Sequence, residues 1–388
     1  MSRLRVVHAA KFYPPVSGGM ETVVGDLSEG TAGEWDVRVV AANEGRSTVV
    51  ERRNGVTVAR AGTLTTKHSV PLCPSFPFQL WKESADCVVL HEPNPVAGCS
   101  VFLHNPAPRL VVWHHADLLR PSWAPPTYGR IQRSLYRRAE CVIVSSPRLA
   151  ASSALVQHAR RVAVIPFGID LERYRQASAE RASAIHAIKW RAAGPIVLFV
   201  GRLVYYKGVH VLIEAMKACA GTLVLVGDGP LEAELRARAA ALGIADRVVF
   251  AGRASDADLP AYFQAADVFV LPSIASTEAF GVVQIEAMAA GVPVVSTDLP
   301  TGVPWVNQDG VSGLVVPPED VTALSAAIAR LLRDGELRAR LGRSASLRAD
   351  ALFARRRMFD AFRDVVETAV RAPADLDAHL ARAREALS

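Results

Sequence analysis

Short, nearly continuous apolar runs alternate with helix-like segments along almost the whole chain. In the first half the runs cover residues 4–9, 35–42, 55–60, 87–91, 109–115, 141–146 and 161–166, and in the second half 196–201, 222–227, 247–252, 268–273, 292–297 and 313–318. Strands that are apolar at nearly every position are typical of parallel sheets covered by helices on both faces. The pattern predicts an α/β protein made of two Rossmann-like halves with parallel sheets.

The break between the halves falls in the segment IPFGID, at residues 165–170. Gly168 can turn the chain, and a polar stretch follows before the next apolar run. We predict domains over residues 1–168 and 169–350, with the helices of 351–388 returning to the first domain. A length of 388 residues suits two domains of ordinary size.

The five cysteines are scattered, odd in number and free of any CxxC pair. They therefore predict neither a disulfide framework nor a zinc site. No apolar run approaches the ~18 residues of a membrane span, and the N-terminus has no secretory pattern. These features predict a cytoplasmic protein.

The formal net charge of +6 lies in the first half of the chain. Between residues 120 and 161, eight arginines stand against one acid, Glu140. On the helix predicted there, Arg130, Arg133 and Arg137 share one face. That face is either a solvated surface or a contact with an anionic membrane leaflet, where each nearby cation contributes roughly 1 kcal/mol. Nucleic acid is a weaker interpretation, because few stacking aromatics lie between the arginines.

The segment GRLVYYKG directly follows an apolar run. Its two cations, Arg202 and Lys207, should therefore emerge at the carboxyl edge of the second sheet, with Lys207 at the start of a helix. An arginine fork and a lysine point charge suit a diphosphate. The alternative is a pair of solvated surface charges.

The segment EAFGVVQIEAMAAG follows another run of the same sheet. We predict a helix that starts near Gly281, with Glu278 in the loop before it and Glu286 one turn into it. The free amides of Phe280, Gly281 and Val282 would then face an anion, while Glu286 could accept hydrogen bonds from ribose hydroxyls. Alternatively, Glu278 is only an acid at a helix N-terminus, favourable for the helix dipole.

These two segments, and EAMAAGVPVVSTDLPTGVPWVNQDGVSGLVVPPED after them, resemble the donor half of family 4 retaining glycosyltransferases, most closely the bacterial mannosyltransferase type. The resemblance is strong over about residues 165–345 and looser before them. It implies the GT-B fold, in which two Rossmann-like domains face a central cleft.

The resemblance also implies a role for each matching residue. Arg202 and Lys207 would stabilise the departing nucleoside diphosphate, and Glu286 would hold the ribose. Glu278 would contact the transferred sugar. The amides of Phe280, Gly281 and Val282 would meet the sugar or phosphate, and Arg253 lies where such proteins receive the base.

Two segments of the first half extend the resemblance. In YPPVSGGMET, Gly18 and Gly19 either let a phosphate or acceptor approach the backbone or form an ordinary tight turn. VVWHHAD is similar to the family's histidine-containing strand end. It makes His115 the sugar-contacting histidine and His114 its neighbour, with Asp117 either orienting His115 or binding the acceptor.

The triplet DAD at residues 256–258 has the form of a metal-binding motif of another transferase fold. Because it stands just before a predicted helix, we interpret it as capping and dipole stabilisation, and we expect no metal site.

The function implied is the transfer of a hexose, mannose or a related sugar, from a GDP-sugar to a saccharide or lipid-linked acceptor in bacterial surface polysaccharide synthesis. No cofactor is expected beyond the nucleotide-sugar co-substrate. UDP-sugars remain open as donors, because these motifs hold phosphate and ribose rather than the base. A nucleotide-sugar epimerase of the same fold and a non-catalytic nucleotide-binding protein also remain open.

Overall fold

The structure is a computed structural model that describes residues 3–16, 18–67, 70–117, 124–192 and 194–385. The chain divides into two compact units. Unit 1 comprises Met1–Phe167 and Arg356–Ser388, and unit 2 comprises Gly168–Arg355. Within the described ranges, no helix has both the length and the apolar character needed to cross a bilayer.

Unit 1 is built on a sheet of eight strands among its described residues, in the order β10-β9-β8-β7-β1-β2-β4-β3. The strands are β1 Arg5–Ala9, β2 Asp36–Ala42, β3 Val49–Arg53, β4 Val56–Ala61, β7 Cys87–Glu92, β8 Arg109–His114, β9 Cys141–Val144 and β10 Val162–Val164, and a separate hairpin pairs β5 Thr65–Lys67 with β6 Val70–Leu72. All neighbours in the large sheet are parallel except β3 and β4.

The antiparallel edge strand β3 differs from the all-parallel sheet that the sequence predicts. Its five residues, VVERR, are all exposed, so it has no apolar run to reveal it. Asn54 and Gly55 form the two-residue turn into β4, both with positive φ. An Asn-Gly pair in that conformation is the preferred turn of a tight hairpin.

The helices of unit 1 cover this sheet. They are α1 Gly19–Thr31, α2 Phe76–Trp81, α3 Pro95–Leu103, α4 Ala124–Arg138, α5 Pro147–Ser152, α14 Arg355–Arg371 and α15 Leu376–Glu385. The last two belong to the C-terminal stretch, and α14 places Phe362 within 5.8 Å of the Trp35 ring and 5.6 Å of the Trp113 ring. All three aromatic side chains are buried, so the C-terminal helix completes the core of unit 1.

Unit 2 is built on a parallel sheet in the order β13-β12-β11-β14-β15-β16. The strands are β11 Ile196–Val200, β12 Thr222–Val226, β13 Val248–Gly252, β14 Val268–Leu271, β15 Val294–Thr297 and β16 Gly313–Val316. The helices are α6 Ala179–Arg191, α7 Val209–Met216, α8 Glu232–Ala241, α9 Leu259–Ala265, α10 Val283–Ala289, α11 Val303–Val306, α12 Val321–Arg333 and α13 Gly335–Leu352.

In each large sheet the chain crosses once to the other side of the unit's first strand. In unit 2 the chain moves outward from β11 through β12 and β13, then returns to the other side of β11 with β14. In unit 1 the corresponding neighbours are β1 and β7. Open α/β sheets bind ligands in the crevice beyond the carboxyl ends of the strands at such a switch point. Each unit therefore has one edge at which a site is expected.

Candidate active site

The loop after β11 carries the two cations predicted at the switch point of unit 2. Arg202 is exposed, and Lys207 lies in a short 3₁₀ turn, Tyr205–Lys207. The sequence predicts Lys207 at the start of a helix. The helix α7 begins at Val209, so Lys207 precedes it by two residues. Gly208 joins the turn to the helix in the left-handed conformation, at φ 67°. This turn directs Lys207 towards the segment that follows β14.

Glu278 lies in that segment and forms an ion pair with Lys207. The Lys207 Nζ is 2.5 Å from Glu278 Oε2, and both side chains are about one-tenth exposed. The Ser273 hydroxyl donates a second hydrogen bond to the same oxygen at 3.0 Å. Glu278 precedes α10 by several residues, so it is not a first-turn acid of that helix. The structure thus joins the two motifs across the switch point between β11 and β14.

Gly281 adopts a conformation that a side chain would strain. Its φ is 71°, and a Cβ there would lie 2.5 Å from Leu271 Cδ2 and 2.8 Å from Gln284 Nε2. The helix α10 begins at Val283, two residues later than predicted. Within the described residues, the amides of Gly281 and Val282 donate to no acceptor. Phe280 is buried behind them, so only its backbone can serve a ligand here.

Glu286 lies in α10 and keeps one buried oxygen unpaired. The Tyr174 hydroxyl hydrogen-bonds the carboxyl group, whereas Oε2 has no partner in the described part of the chain. Burial raises the pKa of Glu286 to about 7. Sequence reasoning missed Tyr174, because its segment follows the domain boundary and carries no motif. An unpaired buried acceptor is the feature expected of a group that awaits a ligand hydroxyl.

Arg253 stands apart from this group. It follows β13, the edge strand, which β12 separates from β11, and its side chain is exposed.

The DAD triplet at residues 256–258 does not form the predicted helix cap. Asp258 caps no helix amide, and its carboxylate accepts from the Ser255 hydroxyl at 2.6 Å. Among the described residues, no three His, Cys, Asp or Glu side chains are grouped so as to hold a metal.

In unit 1, the two glycines lie between β1 and α1. Gly18 is the N-cap of α1 and Gly19 its first residue. The backbone of Gly18 is extended, and the Glu21 carboxylate occupies the space of its missing side chain. Gly19 faces open space, with no described atom within 4 Å of where its Cβ would lie. The loop is accessible at Gly19, and a nearby acid weakens its attraction for anions.

His115 and Asp117 both lie at the carboxyl end of β8. They do not contact each other, so the prediction that Asp117 orients His115 is wrong. Asp117 Oδ1 accepts from the Ser153 hydroxyl at 2.8 Å and lies 3.6 Å from His114 Nε2. The strand ends at His114 and the chain turns, so Asp117 returns to the face of His114. A role for Asp117 towards the acceptor stays a prediction. His115 instead contacts His91, which sequence reasoning missed although it lies near the end of the neighbouring strand β7.

Two known families match the chain. The family described as "Glycosyl transferases group 1" matches residues 181–348, and the family described as "Glycosyltransferase Family 4" matches residues 17–173. The solved structure of sucrose-phosphate synthase from Thermosynechococcus elongatus superposes with a TM-score of 0.77 at 23% identity, over 95% of this chain and 100% of that one. The fold is thus GT-B, as the sequence predicted.

Two relatives match the chain over nearly their whole length. The chain is 32% identical over 377 residues to O-antigen chain mannosyltransferase C of Escherichia coli, and the match covers 94% of this chain and 98% of that protein. It is 33% identical over 359 residues to D-rhamnosyltransferase WbpZ of Pseudomonas aeruginosa, with 90% and 92% covered. The protein is therefore an enzyme, a glycosyltransferase of the GT-B class. It belongs to the group 1 glycosyltransferases of family 4.

Proposed function

We propose that this glycosyltransferase moves mannose or a related hexose from a GDP-sugar to a saccharide or lipid-linked acceptor in bacterial surface polysaccharide synthesis. The mannosyltransferase and the D-rhamnosyltransferase among its relatives support the choice of sugar. D-Rhamnose is 6-deoxy-D-mannose, so both sugars share the configuration of the ring. The name of the first relative, which refers to the O-antigen chain, supports the polysaccharide product.

The observation that carries the proposal is the ion pair of Lys207 and Glu278 at the switch point of unit 2. An incoming diphosphate would draw Lys207 away from Glu278, so that Lys207 and Arg202 both contact the diphosphate. Two cations in a partly dry site neutralise the charge that develops on a leaving diphosphate, and fixed charges of this kind often contribute most of an enzyme's rate enhancement. We propose that these side chains supply that charge, so that no cofactor is required beyond the nucleotide sugar.

Retention of configuration follows, in this proposal, from attack on the face that the diphosphate leaves. The acceptor hydroxyl bonds to the anomeric carbon as the bond to the diphosphate oxygen breaks, and its proton passes to that oxygen. Glu278, held by Lys207 and Ser273, would contact the transferred sugar rather than attack it. Glu286 would accept a hydrogen bond from a ribose hydroxyl through its unpaired oxygen.

A donor panel tests the proposal. Purified enzyme is incubated with GDP-mannose, GDP-rhamnose, UDP-glucose and UDP-N-acetylglucosamine, with and without mannose-terminated acceptors, and the products are analysed by mass spectrometry. We expect a new α-mannosidic glycoside and GDP release with a GDP-sugar. Preferential turnover of a UDP-sugar would replace the donor assignment. Conversion of a nucleotide sugar without acceptor would indicate an epimerase.

Nucleotide affinity should fall as the pH is lowered through about 7, where Glu286 takes up a proton. The protonated acid is a weaker acceptor for a ribose hydroxyl than the carboxylate. The pKa of Glu286 is higher in the folded protein than in the unfolded chain, so protonation of Glu286 stabilises the folded state. This stabilisation is lost as the pH rises through about 7.

Calorimetric titration of GDP between pH 5.5 and 8.5 measures this dependence. A Glu286→Gln variant is the matched control, because it keeps the shape and an acceptor but does not titrate. The nucleotide's own phosphate ionisation affects both proteins equally. An identical pH profile for the two would remove Glu286 from the ribose site.

We propose further that α4 rests on an anionic membrane on the cytoplasmic side. Its arginines Arg130, Arg137 and Arg138 are exposed. The Arg138 guanidinium lies 6.0 Å from the centroid of the Phe102 ring, and the neighbouring Leu103 is 71% exposed. Exposed apolar side chains beside cations suit the boundary between headgroups and acyl chains. Arg120, which belongs to the same basic segment, lies outside the described residues.

Replacing Arg130, Arg137 and Arg138 with Gln should weaken binding to phosphatidylglycerol vesicles. At roughly 1 kcal/mol for each cation, the loss is on the order of a hundredfold. Co-sedimentation with anionic and with phosphatidylcholine vesicles, at low and high salt, measures it.

A second triple variant is the matched control, in which Arg46, Arg52 and Arg357 are replaced with Gln. These arginines are also exposed and belong to unit 1, but none of them lies on α4. The control removes the same net charge, so it should retain most of the binding if the surface of α4 is the contact. Equal sedimentation of the wild type and the α4 variant, or equal losses in the two triple variants, would contradict the proposal.

A further inference from the structure

A buried chain of three imidazole rings lies under the carboxyl edge of the sheet in unit 1. His8 belongs to β1, His91 to β7, and His115 directly follows β8. His8 Nδ1 is 2.9 Å from His91 Nε2, and His91 Nδ1 is 3.0 Å from His115 Nε2. The ring centroids are 5.2 and 5.3 Å apart. His8 and His91 are fully buried, whereas 6% of His115 is exposed.

The three rings are neutral at physiological pH. Burial lowers the pKa of His8 and of His115 to about 3, and it lowers the pKa of His91 well below the usual value. A neutral imidazole carries one N–H, and each of the two ring-to-ring hydrogen bonds requires one. Two arrangements satisfy both bonds. Either all rings donate towards His115, which then carries its hydrogen on Nδ1, or all donate towards His8, which then carries its hydrogen on Nε2.

The surroundings of His8 favour the first arrangement. Its Nε2 is buried without a partner among the described residues. In the second arrangement that atom would be a buried N–H with no acceptor, and orphaned donors are the rarest unmet groups in folded proteins. In the first, only a lone pair stays unmet at His8. The hydrogen at the other end sits on His115 Nδ1, for which the described part of the chain provides no partner.

Packing fixes the orientation of the terminal ring. The Trp113 ring lies 5.9 Å from His115 at an interplanar angle of 17°, and the Phe167 ring lies 5.8 Å away at 20°. The His115 amide also donates to the Glu92 carbonyl at 2.9 Å. With backbone and ring both held, the position of one hydrogen decides whether Nδ1 donates or accepts.

We propose that His8 and His91 are positioning residues that keep the hydrogen of His115 on Nδ1, so that this atom is presented as a hydrogen-bond donor to a substrate hydroxyl. The use of the donor rests on the proposed glycosyl transfer, whereas the tautomer does not. Neither His8 nor His91 touches substrate in this proposal, since both act through His115.

Nuclear magnetic resonance of the full-length protein with ¹⁵N-labelled histidine tests the tautomer directly. The His115 signals are assigned by their loss in His115→Gln. We expect the wild type to carry the hydrogen on Nδ1. In His8→Asp, an ionised carboxylate takes the place of Nδ1 and can only accept from His91 Nε2, so we expect the chain to reverse and His115 to carry its hydrogen on Nε2. We also expect kcat to fall about 10- to 100-fold, the scale of a misplaced group, with the donor KM changed less than about twofold.

Two variants separate positioning from packing. His8→Asn has the same shape as His8→Asp, but its side-chain amide can donate to His91, so the tautomer and kcat should stay close to those of the wild type. Trp113→Phe alters the same ring stack but removes only an indole N–H that has no partner in the described residues, so it should leave the tautomer unchanged.

The outcomes distinguish this inference from the proposed function. A wild-type His115 with its hydrogen on Nε2, or a tautomer indifferent to His8→Asp, would overturn the inference. If His8→Asp does not fold, the tautomer of the wild type and its retention in His8→Asn decide. If the tautomer shifts as expected but the enzyme turns over no nucleotide sugar, the role of the histidine chain is confirmed and the proposed function is wrong.

Discussion

Replacing Lys207 with Ala should lower kcat about 10²–10³-fold, as expected when one charged group that stabilises a developing anion is lost. Lys207 is partly buried at the switch point, where water screens its charge weakly, and Glu278 is its partner at 2.5 Å. The variant also leaves Glu278 without its cation, so nucleotide-diphosphate affinity should fall as well. Steady-state kinetics with the preferred donor, and calorimetric titration of the diphosphate, measure both effects.

Lys217→Ala is the matched control. This lysine caps the other end of the same helix and is exposed, so its loss should leave kcat unchanged. A second arm uses Glu278→Gln, alone and combined with Lys207→Ala. Because the two side chains touch, their effects should not add. Additive effects of the two replacements, or near wild-type turnover in Lys207→Ala, would contradict the proposal that the diphosphate binds at this edge of the sheet.

Replacing Phe353 with Ala should reduce the stability of unit 2 by about 3–5 kcal/mol, the usual cost of truncating a buried Phe. Phe353 is fully buried, with its ring centroid 6.1 Å from that of Phe280 and 5.7 Å from that of Trp305, nearly perpendicular to both. Phe280 directly precedes Gly281. Loss of the ring should therefore also loosen the loop whose amides are proposed to meet the donor, and raise the donor KM.

Hydrogen exchange of peptides from residues 168–355 reports the stability of this unit separately, which matters because a chain of two units need not unfold in one step. The control is Trp190→Ala in α6, a larger side chain that is 80% exposed. Its effect should stay within about 0.5 kcal/mol. If both variants weakened protection equally, the aromatic cluster would not be the support of the loop.

Much of the fold could be predicted because apolar continuity is a strong signal. Each of the thirteen predicted runs overlaps a strand of the two large sheets. The same signal failed for β3, whose exposed VVERR has no buried face to mark it. The motif residues could be assigned to carboxyl edges because parallel strands present those edges together.

The contacts of the site could not be predicted in the same way, because they depend on packing between distant segments. Tyr174 reaches Glu286 only because the segment before α6 packs on α10. The place of Asp117 depended on where β8 ends. Alternation along an unbroken strand would have put it beside His115, yet the strand stops at His114 and the carboxylate meets Ser153.

The helix α14 has a consequence for the order in which the protein acquires its structure during synthesis. Trp35 Nε1 donates to Glu367 at 3.1 Å, and Phe362 lies against the rings of Trp35 and Trp113. The ribosome makes these partners after residues 168–355. Residues 168–355 are contiguous and can close their own interior before α14 has been made, whereas the N-terminal sheet must wait for that helix. Vectorial synthesis usually lets N-terminal domains mature first, and here the order is reversed.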